Sequence, residues 1–150
     1  MKLKPNNTNK SFLKSIPSPI RSQINHVRFK LYNSLYSGKS YTIKHNHLFW
    51  YNKSLNFGDW ITPYLYKKMV GNEPYFASPN ANSDFTSTLS VGSIISKSKP
   101  NSIIWGSGIM SHNVFFPKPF KVLAVRGPLT RNRFLELGYE CPKVYGDPAL

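Results

Sequence analysis

The chain reads as an α/β protein built on one parallel sheet. Two observations predict this class: five short apolar or aromatic runs lead into loops that contain glycine, and two of those loops run straight into helix-start signals. A third sets the scale. The 150 residues, 40% of them hydrophobic and 15% aromatic, suffice for one domain with a sizeable core and argue against wholesale disorder.

Residues 1–19 have the composition of a tail, rich in Asn, Ser and Lys with three prolines, and only Phe12, Leu13 and Ile16 are of apolar interest. From Ile20 the pattern changes. Ile20, Ile24, Val27, Leu31 and Leu35 recur at helical spacing and predict a helix near 20–36, with Pro19 close to the first turn, where proline is tolerated. Arg21, Arg28 and Lys30 fall off that stripe. Such a basic amphipathic helix either packs its stripe against its own domain, the reading favoured here, or lies on a membrane surface.

The domain proper is expected to span 47–150, behind a basic leader of residues 1–46. Residues 48–51 lead to Asn56-Phe57-Gly58-Asp59, residues 88–91 to Gly92-Ser93, and residues 102–105 to Gly106-Ser107-Gly108. Residues 122–125 lead to Arg126-Gly127-Pro128, and residues 143–145 to Gly146-Asp147-Pro148. Short apolar runs bounded by Gly and Pro read as buried strands. After Asp59, Thr62 can cap a helix, with Pro63 in its first position and Gly71 as its stop. After Arg126, Pro128 and Thr130 open a second helix that Gly138 ends. Between them, residues 75–77 read as one further strand, and residues 115–119, with two prolines, as an extended loop.

Charge divides the chain. Residues 1–58 carry ten Lys or Arg and no acid, whereas residues 59–150 carry the other ten and all six acids. A leader so basic is drawn to phosphate-rich partners, which include nucleic acid, anionic lipid headgroups and phosphorylated substrates. No stretch reaches the roughly 20 apolar residues that a transmembrane helix needs. Met1 to Asn7 holds no apolar core of the secretory kind, and the single Cys141 has no internal partner. The expected place is therefore the cytoplasm, with the membrane periphery reached through the leader.

In a parallel sheet, ligands bind beyond the carboxyl ends of the strands. Asp59 and Asp147 each stand directly after a glycine in such a loop, which is informative where acids are scarce. Gly106-Ser107-Gly108 permits close approach of backbone to an anion, and Ser107 adds a hydroxyl. It does not extend to the dinucleotide fingerprint, because Ser111 stands where the third glycine belongs. Arg126 follows four apolar residues and so emerges at a strand end. There its guanidinium can grip a carboxylate or phosphate, or else serve a salt bridge to Asp59 or Asp147 or a structural bond to loop carbonyls. His112 can serve as a proton donor or sit idle on the surface. His45 and His47 have no third ligand to make a metal set, and no cofactor is called for.

Asn56-Phe57-Gly58-Asp59, Trp105-Gly106-Ser107-Gly108, Val125-Arg126-Gly127-Pro128-Leu129-Thr130-Arg131 and Tyr145-Gly146-Asp147-Pro148-Ala149-Leu150 occur in that order. In this the chain resembles the polysaccharide pyruvyl transferases over residues 47–150. The resemblance implies a Rossmann-like sheet, one half of a two-domain architecture like that of the B-type glycosyltransferases, with its partner half beyond Leu150. By that likeness the chain is a donor-side fragment whose cleft has one wall. The family moves a pyruvyl group from phosphoenolpyruvate to a sugar hydroxyl of a glycan during cell-surface polysaccharide biosynthesis. Carried over, Asp59 handles the acceptor hydroxyl or its proton, and Arg126, helped by Arg131, holds the anionic donor. Asn56, Gly58, Gly106, Ser107, Gly108 and Thr130 line the substrates, and Asp147 orders its own loop. Contact with a lipid-linked glycan or a membrane falls to the leader. Two alternatives stand beside this reading. One is a basic nucleic-acid-binding module with Phe29, Tyr32 and Tyr36 as stacking groups, which leaves the glycine-ended strands unexplained. The other is an inactive glycosyltransferase-like scaffold.

Overall fold

The computed structural model describes residues 17–53 and 57–150. Helix α1 (Ser18–Leu35) leads to strand β1 (His47–Phe49), helix α2 (Phe57–Val70), strand β2 (Tyr75–Phe76) and strand β3 (Ser87–Leu89). A 3-10 turn at Ile95–Lys97 precedes strands β4 (Ser102–Trp105) and β5 (Lys121–Ala124), and helix α3 (Pro128–Glu136) follows. The five strands form one sheet in the order β2-β1-β3-β4-β5, every pair parallel. The chain is thus α/β and Rossmann-like, with its winding reversed between β1 and β3. Beyond β5, Val125 forms an isolated parallel bridge with Tyr145, all that the apolar run at residues 143–145 contributes to the sheet.

Interior strand β4, between β3 and β5, carries a near-continuous apolar run because a parallel sheet is buried on both faces. One face packs Leu89, Ile104 and Val125 against Phe134 of α3, with Phe116 and Tyr139 filling the gap between them. The crossover from β4 to β5 holds no helix, and Phe116 in that extended loop supplies the missing apolar bulk. It is fully buried, with its ring 4.8 Å from Phe134 and 5.9 Å from Tyr139. Arg133 of α3 ties the loop down by donating from Nε to the Val114 carbonyl at 2.8 Å. The other face meets α2. There Leu48, Ile103, Trp105 and Leu123 line an open apolar hollow with Tyr66 and Met69.

Several expectations are corrected. α2 begins at Phe57, which leaves Pro63 inside the helix and Thr62 buried rather than capping. Proline there removes the N–H that would meet the Asp59 carbonyl, and the helix tolerates that loss. Its charges suit the helix dipole, with Asp59 in the first turn and Lys67 and Lys68 in the last. The apolar stripe of α1 does not pack on the domain: Ile20, Ile24, Val27, Leu31 and Leu35 are all exposed. The opposite face docks instead. Asn33 Nδ2 donates to the Tyr139 hydroxyl at 2.8 Å, and the Lys118 N–H donates to Asn33 Oδ1 at 2.9 Å. Nor does integration into the fold wait for His47, since Tyr41 is buried and Thr42 bridges to Phe85. Asn56 and the tail residues Phe12, Leu13 and Ile16 lie outside the described residues.

Burial pushes the Tyr139 hydroxyl up, partly offset by the hydrogen bond to Asn33. It also pushes the Cys141 thiol up, against a smaller opposing pull from Arg131. Both groups stay neutral in the fold at a pH where the unfolded chain ionises them. Their contribution to stability is therefore complete below the ordinary thiol range, about pH 8.5, and is lost as pH rises through the raised folded values. Thermal unfolding across that range is expected to show a flat Tm and then a decline. Native Cys141 is expected to resist iodoacetamide until the chain unfolds, and labelling of the native protein as fast as the unfolded one would refute this assignment.

Candidate functional site

Three loops at the carboxyl ends of β3, β4 and β5 are stitched to one another at a single rim. The Gly92 carbonyl after β3 accepts from Ser107 Oγ at 2.8 Å and from the Gly108 N–H at 3.0 Å. The Ile95 N–H donates to the Gly108 carbonyl at 3.3 Å. On the other side, the Gly106 N–H donates to the Ala124 carbonyl at 3.0 Å, and the Arg126 N–H donates to the Ser107 carbonyl at 3.1 Å. Ser107 is fully buried. Its hydroxyl proton is committed to the protein and braces the rim.

Arg126 emerges from the end of β5 and folds back over this brace. Its Nη2 donates to Ser93 Oγ at 2.7 Å and, more weakly, to the Ile109 carbonyl at 3.4 Å. None of the ion pairs among the described residues includes Arg126. The sequence offered Asp59 or Asp147 as its salt-bridge partner, and neither takes that place. Asp147 accepts from the Ala149 N–H at 3.1 Å and so orders its own loop. The guanidinium therefore sits half-buried with no carboxylate among the described residues paired to it.

The two glycines of the Gly106-Ser107-Gly108 turn serve this arrangement. A Cβ on Gly108 would stand 2.5 Å from Nε and Nη2 of Arg126, so the guanidinium lies where a side chain would be. Gly106 has a left-handed backbone, φ 82°, and a Cβ there would run into the Pro148 ring and come within 2.9 Å of the Gly146 carbonyl. The close approach these glycines allow is to the chain's own loops.

Arg126 opens onto a cavity of about 320 Å³ walled by residues 109–112 on one side and 126–130 on the other. The first turn of α3 forms part of that wall. No side chain caps α3 and Pro128 occupies its opening turn, so the N–H groups of Leu129 and Thr130 have no acceptor within the helix. An anion in this cavity would meet both the guanidinium and the positive end of the helix dipole. His112 also lines it, 3.4 Å from Glu136. A larger cavity, about 660 Å³, lies between Lys118, Lys121 and Tyr139 where β5 begins. It is at the opposite rim from these loops and holds none of their chemistry.

The expected site residues are gathered unevenly. Arg126 and Thr130 line the cavity, with Thr130 nearly buried. Gly106, Ser107 and Gly108 support Arg126 from behind. Asp59 reaches the same rim from α2: a Cβ on Gly92 would be 3.5 Å from its Oδ1. It meets the Gly92-Ser93 turn without lining the Arg126 cavity. Gly58 sits beside it in the first turn of α2. Arg131 turns away, donating from Nε to the Cys141 carbonyl at 3.2 Å. Ser93, which fixes the guanidinium, was not singled out from sequence. The signal that would have found it is the Gly92-Ser93 pair at a strand end, in series with the other glycine loops.

Among the described residues, no three His, Cys, Asp or Glu side chains gather as a metal set. His47 instead stacks between Tyr75 and Phe85. No helix among the described residues is long and apolar enough to cross a membrane. Comparison with protein-family models, with curated proteins and with solved structures returned no match.

Proposed function

We propose that the chain serves a transferase that moves a pyruvyl group from phosphoenolpyruvate to sugar hydroxyls, with the Arg126 cavity holding the donor. The single observation that carries this reading is a guanidinium without a carboxylate partner, facing an uncapped helix start at the rim where parallel sheets bind ligands. A donor with both a phosphate and a carboxylate needs concentrated positive charge of that kind.

The balance of the reaction assigns the remaining groups. The donor's methylene carbon takes a proton and becomes a methyl group, while its neighbouring carbon takes two sugar oxygens in a cyclic ketal. Inorganic phosphate leaves, and the two hydroxyl protons go to the methyl carbon and the phosphate. His112, on the cavity wall, is the group placed to deliver a proton to the methylene carbon. Asp59, on the same rim beside Gly92, is the carboxylate to which we give the acceptor hydroxyl or its proton. The stacking role considered for Tyr32 and Tyr36 loses support, because their rings pack on each other and are half-buried.

The test is thermal unfolding of the full chain with added ligand, since a ligand that binds only the folded state raises Tm. Phosphoenolpyruvate is expected to raise Tm more than inorganic phosphate or pyruvate at equal concentration, because it alone presents both anionic groups. Equal shifts with phosphate would reduce the cavity to a general anion site. No shift with any of the three would reject the reading.

A further inference from the structure

The transfer reaction leaves one large surface of the molecule without a role. α1 docks on the domain by one face, where Asn33 holds Lys118 and Tyr139 and the Tyr36 hydroxyl donates to Asn82 Oδ1 at 3.3 Å. On its other face, Ile20, Ile24, Val27, Leu31 and Leu35 form one aliphatic stripe, each between 40% and 81% exposed. Apolar side chains left out in a row mark a contact surface. Arg28 lines a shallow groove along the stripe with Ile24, Val27 and Leu31, and Lys30 is exposed nearby. No acidic residue interrupts this charge, because residues 1–58 carry ten Lys or Arg and none.

We propose that α1 lies flat on an anionic bilayer, its aliphatic stripe in the acyl boundary and its cations among the headgroup phosphates. An interfacial helix of this kind combines an apolar face, a basic polar flank and low net hydrophobicity. At about 27 Å long it covers several headgroups without spanning. Three features single out lipid as the occupant. The five exposed stripe residues are aliphatic, and the one ring lining the groove among the described residues, Tyr32, is half-buried and packed on Tyr36, which leaves a nucleic-acid base little to stack on. A second copy placed on it would set two helices free of acids against each other, which like charges oppose. An anionic lipid surface meets both features, its acyl boundary taking the aliphatic stripe and its phosphates the unbroken positive charge. α1 also docks on segments that precede β3 and β5, Asn82 and Lys118 among them, so the opposite rim with Arg126 stays clear of the bilayer. This inference does not rest on the transfer reaction.

Co-sedimentation of the full chain with vesicles tests it. Binding is expected to vesicles of phosphatidylcholine with phosphatidylserine, to be weak on phosphatidylcholine alone, and to fall with added salt. The double variant Val27→Ser, Leu31→Ser is expected to lose at least about tenfold in partitioning, since it removes aliphatic groups that would enter the acyl boundary. Both positions are exposed, so the circular dichroism spectrum is expected to stay unchanged, and Tyr75→Ser, an exposed ring on edge strand β2, is expected to bind as the parent does. Undiminished binding by the double variant, or equal binding to uncharged vesicles, overturns the proposal. So does a dimer in vesicle-free solution that the double variant dissolves, because the stripe would then be a contact between copies.

Discussion

Arg126→Ala is expected to weaken phosphoenolpyruvate binding by about 100-fold, on the scale of truncating one member of a desolvated charge pair, while leaving a folded chain. The side chain makes two hydrogen bonds to the protein, to Ser93 Oγ and the Ile109 carbonyl, and no ion pair among the described residues. Its removal therefore strands no buried carboxylate, and the stability cost is on the order of 1–2 kcal/mol. Arg126→Lys keeps the charge but loses the planar fork, so it is expected to recover only part of the affinity. Gly108→Ala makes the argument sharper. Its Cβ would displace the guanidinium, the movable end of a long side chain, so binding is expected to fall with little loss of Tm. Isothermal titration with phosphoenolpyruvate separates the outcomes. Parent-like affinity in both Arg126→Ala and Gly108→Ala would remove Arg126 from the site.

The sheet was legible because glycine-ended apolar runs are what a parallel strand followed by a ligand-side loop requires. Ser102–Trp105 agrees residue for residue, and β1, β3 and β5 differ from the expected runs by one or two residues at their ends. What misled was local chemistry that tertiary structure overrode. Pro63 carries the signature of a helix start, yet Phe57 and Gly58 already lie in α2, where packing on the sheet outweighs one lost hydrogen bond. The apolar stripe of α1 could be read from spacing. Its orientation could not, because the polar contacts of Asn33 that fix the docked face join residues 85 and 106 positions apart. The same limit holds for the rim. Arg126 and the glycine turns could be found one by one, but the fit of the guanidinium over Gly108 and its bond to Ser93 arise only when three strand ends meet.

Gly106→Ala is expected to cost the most stability of any single methyl addition at this rim, on the order of 3–5 kcal/mol. Two penalties act together. The backbone of Gly106 is left-handed, which an L side chain resists, and the new Cβ would fall inside the Pro148 ring and against the Gly146 carbonyl. Neither neighbour can swing aside as an arginine does. Pro148 is rigid, and the loop it belongs to is held by Gly146 N–H donating to the Val125 carbonyl at 3.2 Å. Relief would have to come from parting residues 146–148 from the end of β4, which opens the bridge between Val125 and Tyr145. For a chain of this size the Tm drop is on the order of 10 °C. Gly127→Ala is the matched control, because its Cβ meets nothing within 4 Å and its φ of −172° is ordinary extended backbone. A Gly106→Ala protein that melts with the parent while Gly127→Ala does too would mean that the Tyr145–Pro148 loop is not packed on β4, and the brace beneath Arg126 would lose its outer support.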